Sequence, residues 1–138
     1  AHGDLDYRSL VQVFVPAQST LNETSNLPQQ PVVVPWEAHT AFVARAAVDY
    51  NHSERYQILY RTPPLVIQEG PYYRYKLLAQ KQAGTLAEPL NVQITLPAGA
   101  RTVYTDPQPA ASYSLDQPVL EFRLTLTSDR TIEVVYTR

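Results

Sequence analysis

The residues best suited to catalysis in this chain are its thirteen carboxylates, and their spacing forms no recognisable catalytic motif. Glu121 and Glu133 come closest to a pair, because they lie in neighbouring segments with strand-like alternation. General acid–base catalysis requires a carboxyl group in surroundings that shift its pKa. Both glutamates alternate with apolar residues and are therefore expected on the solvent side of their strands. We predict no catalytic residue and no enzymatic activity.

The histidines do not have the spacing of a zinc site. His2, His39 and His52 lie in loop-like stretches and form neither an H-x-x-x-H nor an H-x-E arrangement. The chain has no cysteine, so thiolate ligands and disulfides are excluded. We predict no metal and no cofactor.

One motif has part of the spacing of a calcium loop. In Asp49-x-Asn51-x-Ser53, however, Glu54 follows where that loop needs glycine, and Tyr60 stands where it needs a bidentate glutamate. A turn between two strands accounts for this segment better. Asp4-x-Asp6 is a second, weaker candidate for cation binding.

Aromatic and basic side chains are the best candidates for a binding surface. Tyr72, Arg74 and Lys76 share one face of a strand-like segment, and Tyr72 is the tyrosine most expected to be exposed. Trp36 is the fourth candidate. Tyrosine and tryptophan combine an apolar ring with a polar group, which suits stacking on sugars or contact with proteins. The alternative is packing within the protein, with Trp36 closing one end of the fold.

Other tyrosines are predicted to belong to the core because they alternate with aliphatic residues. Tyr56 and Tyr60 share a face with Ile58, and Tyr73 and Tyr75 share a face with Leu77.

Alternation with a period of two predicts an all-β protein, since successive side chains of a strand point to opposite sides of the sheet. Seven strand segments are predicted at 8–15, 40–50, 55–61, 73–79, 91–96, 119–126 and 132–136. Segment 40–50 is rich in alanine, so a helix is its alternative. The two strands within 73–99 are predicted to form a hairpin, with Gly84 at positive φ and Thr85 capping the turn. The last two strands are predicted to form another.

Proline divides the chain into strands and long connections. There are twelve prolines and only four glycines. Segments 16–39 and 97–118 are rich in proline, which lacks the N–H group that a central strand needs. We expect them to cover sheet edges or cross between sheets. The prediction is an immunoglobulin-like antiparallel β-sandwich of about seven or eight strands, with residues 1–138 in one domain.

Composition narrows the classes of partner. The net charge is −2, from 11 basic and 13 acidic residues, without the clustered basic face that nucleic acid requires. No apolar run is long enough to cross a bilayer, so no direct membrane insertion is predicted. The ends of the sequence suggest a domain taken from a longer protein.

Two stretches of the chain resemble a known family. Tyr7-Arg8 precedes Val11-x-Val13-x-Val15-Pro16, and a Gln80-Lys81-Gln82-x-Gly84-Thr85 turn lies between two alternating strands. Over residues 7–16 and 72–99 the chain is similar to the C-terminal domain of large bacterial envelope proteins (domain of unknown function family 4012). Members often have glycine-rich turns after the entry strand, whereas residues 21–35 contain no glycine.

The resemblance implies an immunoglobulin-like, extracytoplasmic module at the cell surface of a membrane-anchored protein, and it transfers no catalytic residue. We therefore expect a non-catalytic structural or protein-interaction module. Its partners would be other domains of the same polypeptide or other envelope proteins. The alternative is a carbohydrate- or cell-wall-binding module that uses Tyr72, Arg74, Lys76 and Trp36.

Overall fold

The computed structural model describes residues 7–138, which form β-strands joined by turns and loops. Asp4-x-Asp6 and His2 lie outside the described residues. All strand pairings are antiparallel. The strands are β1 (Tyr7–Pro16), β2 (Thr20–Ser25), β3 (Val32–Trp36), β4 (His39–Val48), β5 (Gln57–Arg61), β6 (Ile67–Glu69), β7 (Tyr72–Ala79), β8 (Glu88–Thr95), β9 (Arg101–Asp106), β10 (Ala111–Ser114), β11 (Pro118–Leu126) and β12 (Arg130–Thr137). Residues 7–138 contain no helix long and apolar enough to cross a membrane.

The chain divides into two compact units, residues 1–64 and 65–138. The first contains a sheet of order β1-β4-β3 and a two-stranded sheet, β2-β5. The second contains the sheets β10-β11-β8 and β6-β7-β12-β9. That both units belong to one domain stays a prediction.

In the first unit, β4 is the central strand of its sheet, and the strand prediction for 40–50 is confirmed over most of its length. One face of the sheet is buried, with Phe42 opposite Val13 and Ala44 opposite Val11. The ring of Phe42 meets that of Tyr60 on β5 edge-on, with centroids 5.7 Å apart. Tyr60 nevertheless stays exposed and Tyr56 half-buried, so the predicted core position of Tyr60 is wrong. No further described strand is hydrogen-bonded to the strand pair β2-β5.

In the second unit, a single core receives side chains from both sheets. Its buried members are Leu96, Ala100, Leu120, Phe122, Ile132, Val134 and Tyr136. Tyr73 and Leu77 of β7 and Val92 and Ile94 of β8 are partly buried against it. These strands alternate as predicted, because each has one apolar face turned to the core.

Both predicted hairpins are wrong in their pairing, although their strands are correctly placed. β7 pairs with β12 and β6, whereas β8 pairs with β11, so the two strands belong to different sheets. β11 and β12 are likewise in different sheets. Apolar alternation determines which face of a strand is buried, and two strands can bury their faces in one core without sharing a hydrogen-bonded edge. The eight residues that join β7 to β8 are also longer than a tight hairpin turn.

The proline-rich segments contribute edge strands. β3, with Pro35 inside it, is an edge strand, and β9 and β10 lie at the edges of their sheets. The central strands β4, β7 and β12 contain no proline, and in β11 only the first residue is Pro118. The exclusion of proline from central strands is therefore confirmed. Together with β2 and β6, these edge strands bring the total for residues 7–138 to twelve, above the predicted seven or eight.

Candidate binding faces

The structure places three of the four candidate residues on one sheet face and the fourth on a different sheet. Tyr72, Arg74 and Lys76 lie on the outer face of β7, opposite the side that carries Tyr73 and Leu77. We call this surface the Tyr72 face. Trp36 lies on β3, in the other unit.

The Tyr72 face carries a second exposed tyrosine that sequence reasoning missed. Tyr104 of β9 lies opposite Val135 of β12, and Val135 lies opposite Arg74, so all three side chains share the face. Tyr72 is 45% exposed and Tyr104 is 50% exposed. The prediction that Tyr72 is exposed is therefore confirmed. The sequence did not predict Tyr104 because it lies in a proline-rich segment without apolar alternation, and a bulge in the β9–β12 pairing shifts the register next to it.

Ion pairs hold the Arg74 side chain of the Tyr72 face. Arg74 Nη2 lies 3.3 Å from Glu69 Oε2, and Arg74 Nε lies 3.2 Å from Glu133 Oε1. The second contact does not have the alignment of a hydrogen bond, and Nε is buried without another partner. Lys76 lies opposite Glu133 in the register. Two carboxylates thus flank Arg74, which leaves this guanidinium little capacity to attract an anionic ligand.

Trp36 belongs to a more apolar surface, the outer face of the β1-β4-β3 sheet, which we call the Trp36 face. Its aromatic end is formed by Phe14 and Trp36, whose rings meet at 61° with centroids 6.5 Å apart. Between their strands lies Ala41, which is buried and pairs with Phe14 and Val34. Trp36 therefore does not close one end of the fold; it packs on Phe14 and stays 55% exposed.

Aliphatic side chains extend the Trp36 face along the sheet. Leu10 of β1 is 62% exposed and Val32 of β3 is 63% exposed, and Val43 of β4 lies between their strands. The face combines side chains from all three strands: Arg8, Leu10, Gln12 and Phe14 of β1, His39, Ala41, Val43 and Arg45 of β4, and Val32, Val34 and Trp36 of β3. No carboxylate occurs among them. Exposed apolar surface that extends over several strands is typical of interaction sites.

At the opposite end of the Trp36 face from the aromatic pair, a depression of about 610 Å³ opens on the sheet. Arg8 and Leu10 of β1 and Arg45 of β4 line it, together with Pro28 and Gln29 from the segment before β3. β3 begins opposite Val43, so no strand of that sheet lies beside Arg45 on this side. The depression therefore lies at the part of the sheet in which β1 and β4 are paired and β3 is absent.

Lys81, in the turn between the two alternating strands, does not project into solvent. Its side chain is only 13% exposed, and its Nζ donates hydrogen bonds to the carbonyl oxygens of Gln82 (3.0 Å) and Thr85 (2.9 Å) and to Thr85 Oγ1. It also lies 3.6 Å from Glu88 Oε1. The Thr85 side chain and then the charge of Lys81 hold the pKa of Glu88 below its usual value. Lys81 therefore organises the loop rather than presenting a charge to a ligand.

The remaining candidates for chemistry are held in separate structural contacts. Glu121 Oε1 accepts a hydrogen bond from the Tyr113 hydroxyl (3.0 Å), which raises the pKa of that tyrosine, whereas Glu133 pairs with Arg74 in another sheet. In the segment that resembled a calcium loop, the His52 amide donates to the Asp49 carbonyl (3.0 Å), as in the predicted turn. Residues 7–138 contain no group of three acidic or histidine side chains arranged to hold a metal.

Two further depressions lie in the second unit. One, of about 330 Å³, is lined by Tyr75, Tyr136 and residues of β8, and the other, of about 490 Å³, is lined by residues of β9 and β10 with Tyr113. Their linings contain no carboxylate, histidine or lysine. The depression beside Arg45 has two arginines, which remain protonated and do not transfer protons at neutral pH.

Comparison with protein-family models, curated proteins and solved structures found no match to this chain.

Proposed function

We propose that this protein is a non-catalytic interaction module that docks another protein through the Trp36 face. The observation that carries the proposal is a continuous surface of exposed apolar side chains on three paired strands, with Leu10, Val32 and Trp36 each more than half exposed. Protein interfaces are enriched in aromatic residues and depleted of carboxylates at their centres. The Trp36 face has both properties.

The energetics favour the aromatic end as the centre of the interface. Burial of apolar area contributes about 25 cal/mol per Å², and tryptophan is among the residues that most often dominate binding energy. Trp36 is already held by Phe14, so it loses less side-chain freedom on binding than a loose side chain would. Its ring is pre-oriented for a partner.

The finer features of fold and location are part of the same proposal. We infer that the two sheets of the second unit form an immunoglobulin-like sandwich, supported by the core that β11 and β12 share. The extracytoplasmic placement in a larger bacterial envelope protein is supported by the resemblance over residues 7–16 and 72–99 alone. Partners would then be envelope proteins or other domains of the same polypeptide.

A carbohydrate-binding role on the Tyr72 face is the second candidate. Tyr72 and Tyr104 are exposed on one face, with one strand between theirs, which places their strands about 10 Å apart. Two tyrosines exposed on one face, on strands with this spacing, suit stacking on sugar residues of one glycan. Loss of glycan binding in both Tyr72→Ala and Tyr104→Ala would favour this function.

The test of the docking function is selection from a phage-displayed library of random peptides of about twelve residues, long enough to cross the sheet when extended. We expect peptides that bind the wild-type protein to bind Trp36→Ser at least about tenfold more weakly. Tyr72→Ala is the matched control, an exposed aromatic residue on the other face, and should bind as the wild type does.

Because Trp36 is exposed, Trp36→Ser should retain the thermal unfolding transition of the wild type. If no peptide is enriched, or if the enriched peptides bind Trp36→Ser unchanged, the Trp36 face is not a docking surface.

A further inference from the structure

We propose that the partner of the Trp36 face is an acidic, extended peptide segment whose carboxylate binds Arg45 while an apolar side chain of the same segment packs on Phe14 and Trp36. This inference rests on the proposed docking function and adds the chemistry of the partner. It follows from the charge of the face, the position of Arg45 and the spacing between the two ends.

The first step is that the strand positions of the Trp36 face carry positive charge and no negative charge. Its ionised side chains are Arg8 and Arg45, and no strand position on it carries aspartate or glutamate. Arg8 already interacts with another group, so the argument depends on Arg45. Within residues 7–138, Arg45 forms no ion pair, in contrast to Arg74 on the Tyr72 face.

The second step is the position of Arg45 between the apolar part of the Trp36 face and the depression. Arg45 pairs with the exposed Leu10 and lines the 610 Å³ depression beside Gln29. A carboxylate bound here would be partly removed from water, where a charge-assisted, bidentate hydrogen bond to guanidinium is stronger than on an open surface. The apolar surroundings thus favour an acidic group that enters together with apolar side chains.

The third step is distance. Arg45 lies four positions along β4 from Ala41, the register partner of Phe14, whose ring contacts Trp36. Four residues of strand span about 13 Å. An extended peptide running along the sheet presents side chains on one side at every second position. The fit therefore requires an apolar residue and a carboxylate four positions apart.

Other occupants fit less well. A second copy of this face carries Arg45 and no carboxylate, so it cannot neutralise the same arginine. Nucleic acid binding usually relies on several cations, whereas this face offers Arg45 beside aliphatic side chains. A glycan would set hydroxyl groups against Leu10 and Val32, which offer no hydrogen bonds.

The experiment extends the peptide selection to Arg45→Glu and Arg45→Lys, with Arg61→Glu as the matched control. Arg61 is an exposed arginine of the same unit, on β5 in the other sheet. We expect wild-type peptides to carry aspartate or glutamate four positions from an apolar residue. Their affinity should fall at least about tenfold in Arg45→Glu, less in Arg45→Lys and not in Arg61→Glu. Selection on Arg45→Glu should instead enrich lysine or arginine at that position.

The outcomes separate this inference from the docking function. Peptides that require Trp36 but carry no carboxylate, or that bind Arg45→Glu unchanged, would overturn the inference and leave the docking function intact. Absence of any Trp36-dependent peptide would overturn both. Binding of polygalacturonate, an anionic glycan probe, that is lost in Arg45→Glu while no peptide is enriched would also overturn both.

Discussion

At the scale of single residues, Lys81 shows how a charged side chain on a surface loop can serve structure alone. The ammonium group of Lys81 donates to two backbone carbonyls and to Thr85 Oγ1. The backbone amide of Lys81 donates to Asp129 Oδ1 (2.7 Å) in the β11–β12 connection. Backbone groups that have no strand partner are satisfied in this way. The loop from β7 to β8 is thereby attached to a second loop of the same unit.

Gly84, in this loop, gives a prediction about backbone conformation. Its φ is +81°, as the sequence predicted, and no atom lies within 4 Å of where a Cβ would be. Gly84→Ala should therefore destabilise the protein by about 1 kcal/mol through backbone strain and not through a clash. Gly84→Asn should cost less, since asparagine adopts positive φ more readily. Urea unfolding of both variants measures the difference, and an unchanged midpoint in Gly84→Ala would contradict it.

Single-residue features were predictable where local chemistry decides them. The positive φ of Gly84 and the exposure of Tyr72 follow from residue type and alternation. The burial of the Lys81 side chain did not, because it depends on carbonyl groups that the loop gathers around it. The ion pairs of Arg74 also depend on strands distant in sequence, β6 and β12.

At the scale of elements, β12 is the strand on which the second unit depends most. It pairs with both β7 and β9, and its inward residues Ile132 and Val134 are fully buried. Ile132→Ala should lower the free energy of unfolding by about 2–5 kcal/mol, because it removes buried methyl groups and leaves a cavity. Thr131→Ala, on the exposed face of the same strand, should change it by less than about 0.5 kcal/mol. Similar losses in the two variants would place the core elsewhere.

The strands could be predicted from the sequence, but their pairing could not. Alternation located seven strands and the buried faces of most of them, but not that of β5, where Tyr60 is exposed, and it paired β7 with β8 and β11 with β12. Which strands pair depends on how they are distributed between two sheets that share one core, and this is a property of the folded unit. The short edge strands β6, β9 and β10 gave no signal of their own because prolines interrupt their surroundings.

At the scale of the whole molecule, the division into two units has a direct test. Residues 65–138 contain two sheets and a core of their own, so this fragment should fold alone with a cooperative urea transition. Ile132→Ala in the fragment should lower its stability as it does in the full chain. An unfolded fragment would instead show that residues 1–138 fold as one domain, as the sequence predicts.

Function was the least predictable property at this scale. Trp36 was selected for its residue type, but the surface to which it belongs is assembled from three strands, one of them within a proline-rich segment. In the sequence, Arg45 belongs to no motif and is simply a polar residue within an apolar strand. Arg45 enters the proposal because β3 begins opposite Val43 and leaves Arg45 without a neighbouring strand on that side. The sequence did not predict where β3 begins.

The placement of proline has a consequence for behaviour at high concentration. An open sheet edge can recruit the same edge of another molecule, and continued addition of this kind produces fibrils. Pro35 of β3 and Pro89 of β8 have no N–H group, so each of these edge strands lacks one backbone donor. β1, by contrast, has proline only at its last residue, so it is the long edge of its sheet along which intermolecular strand addition would begin.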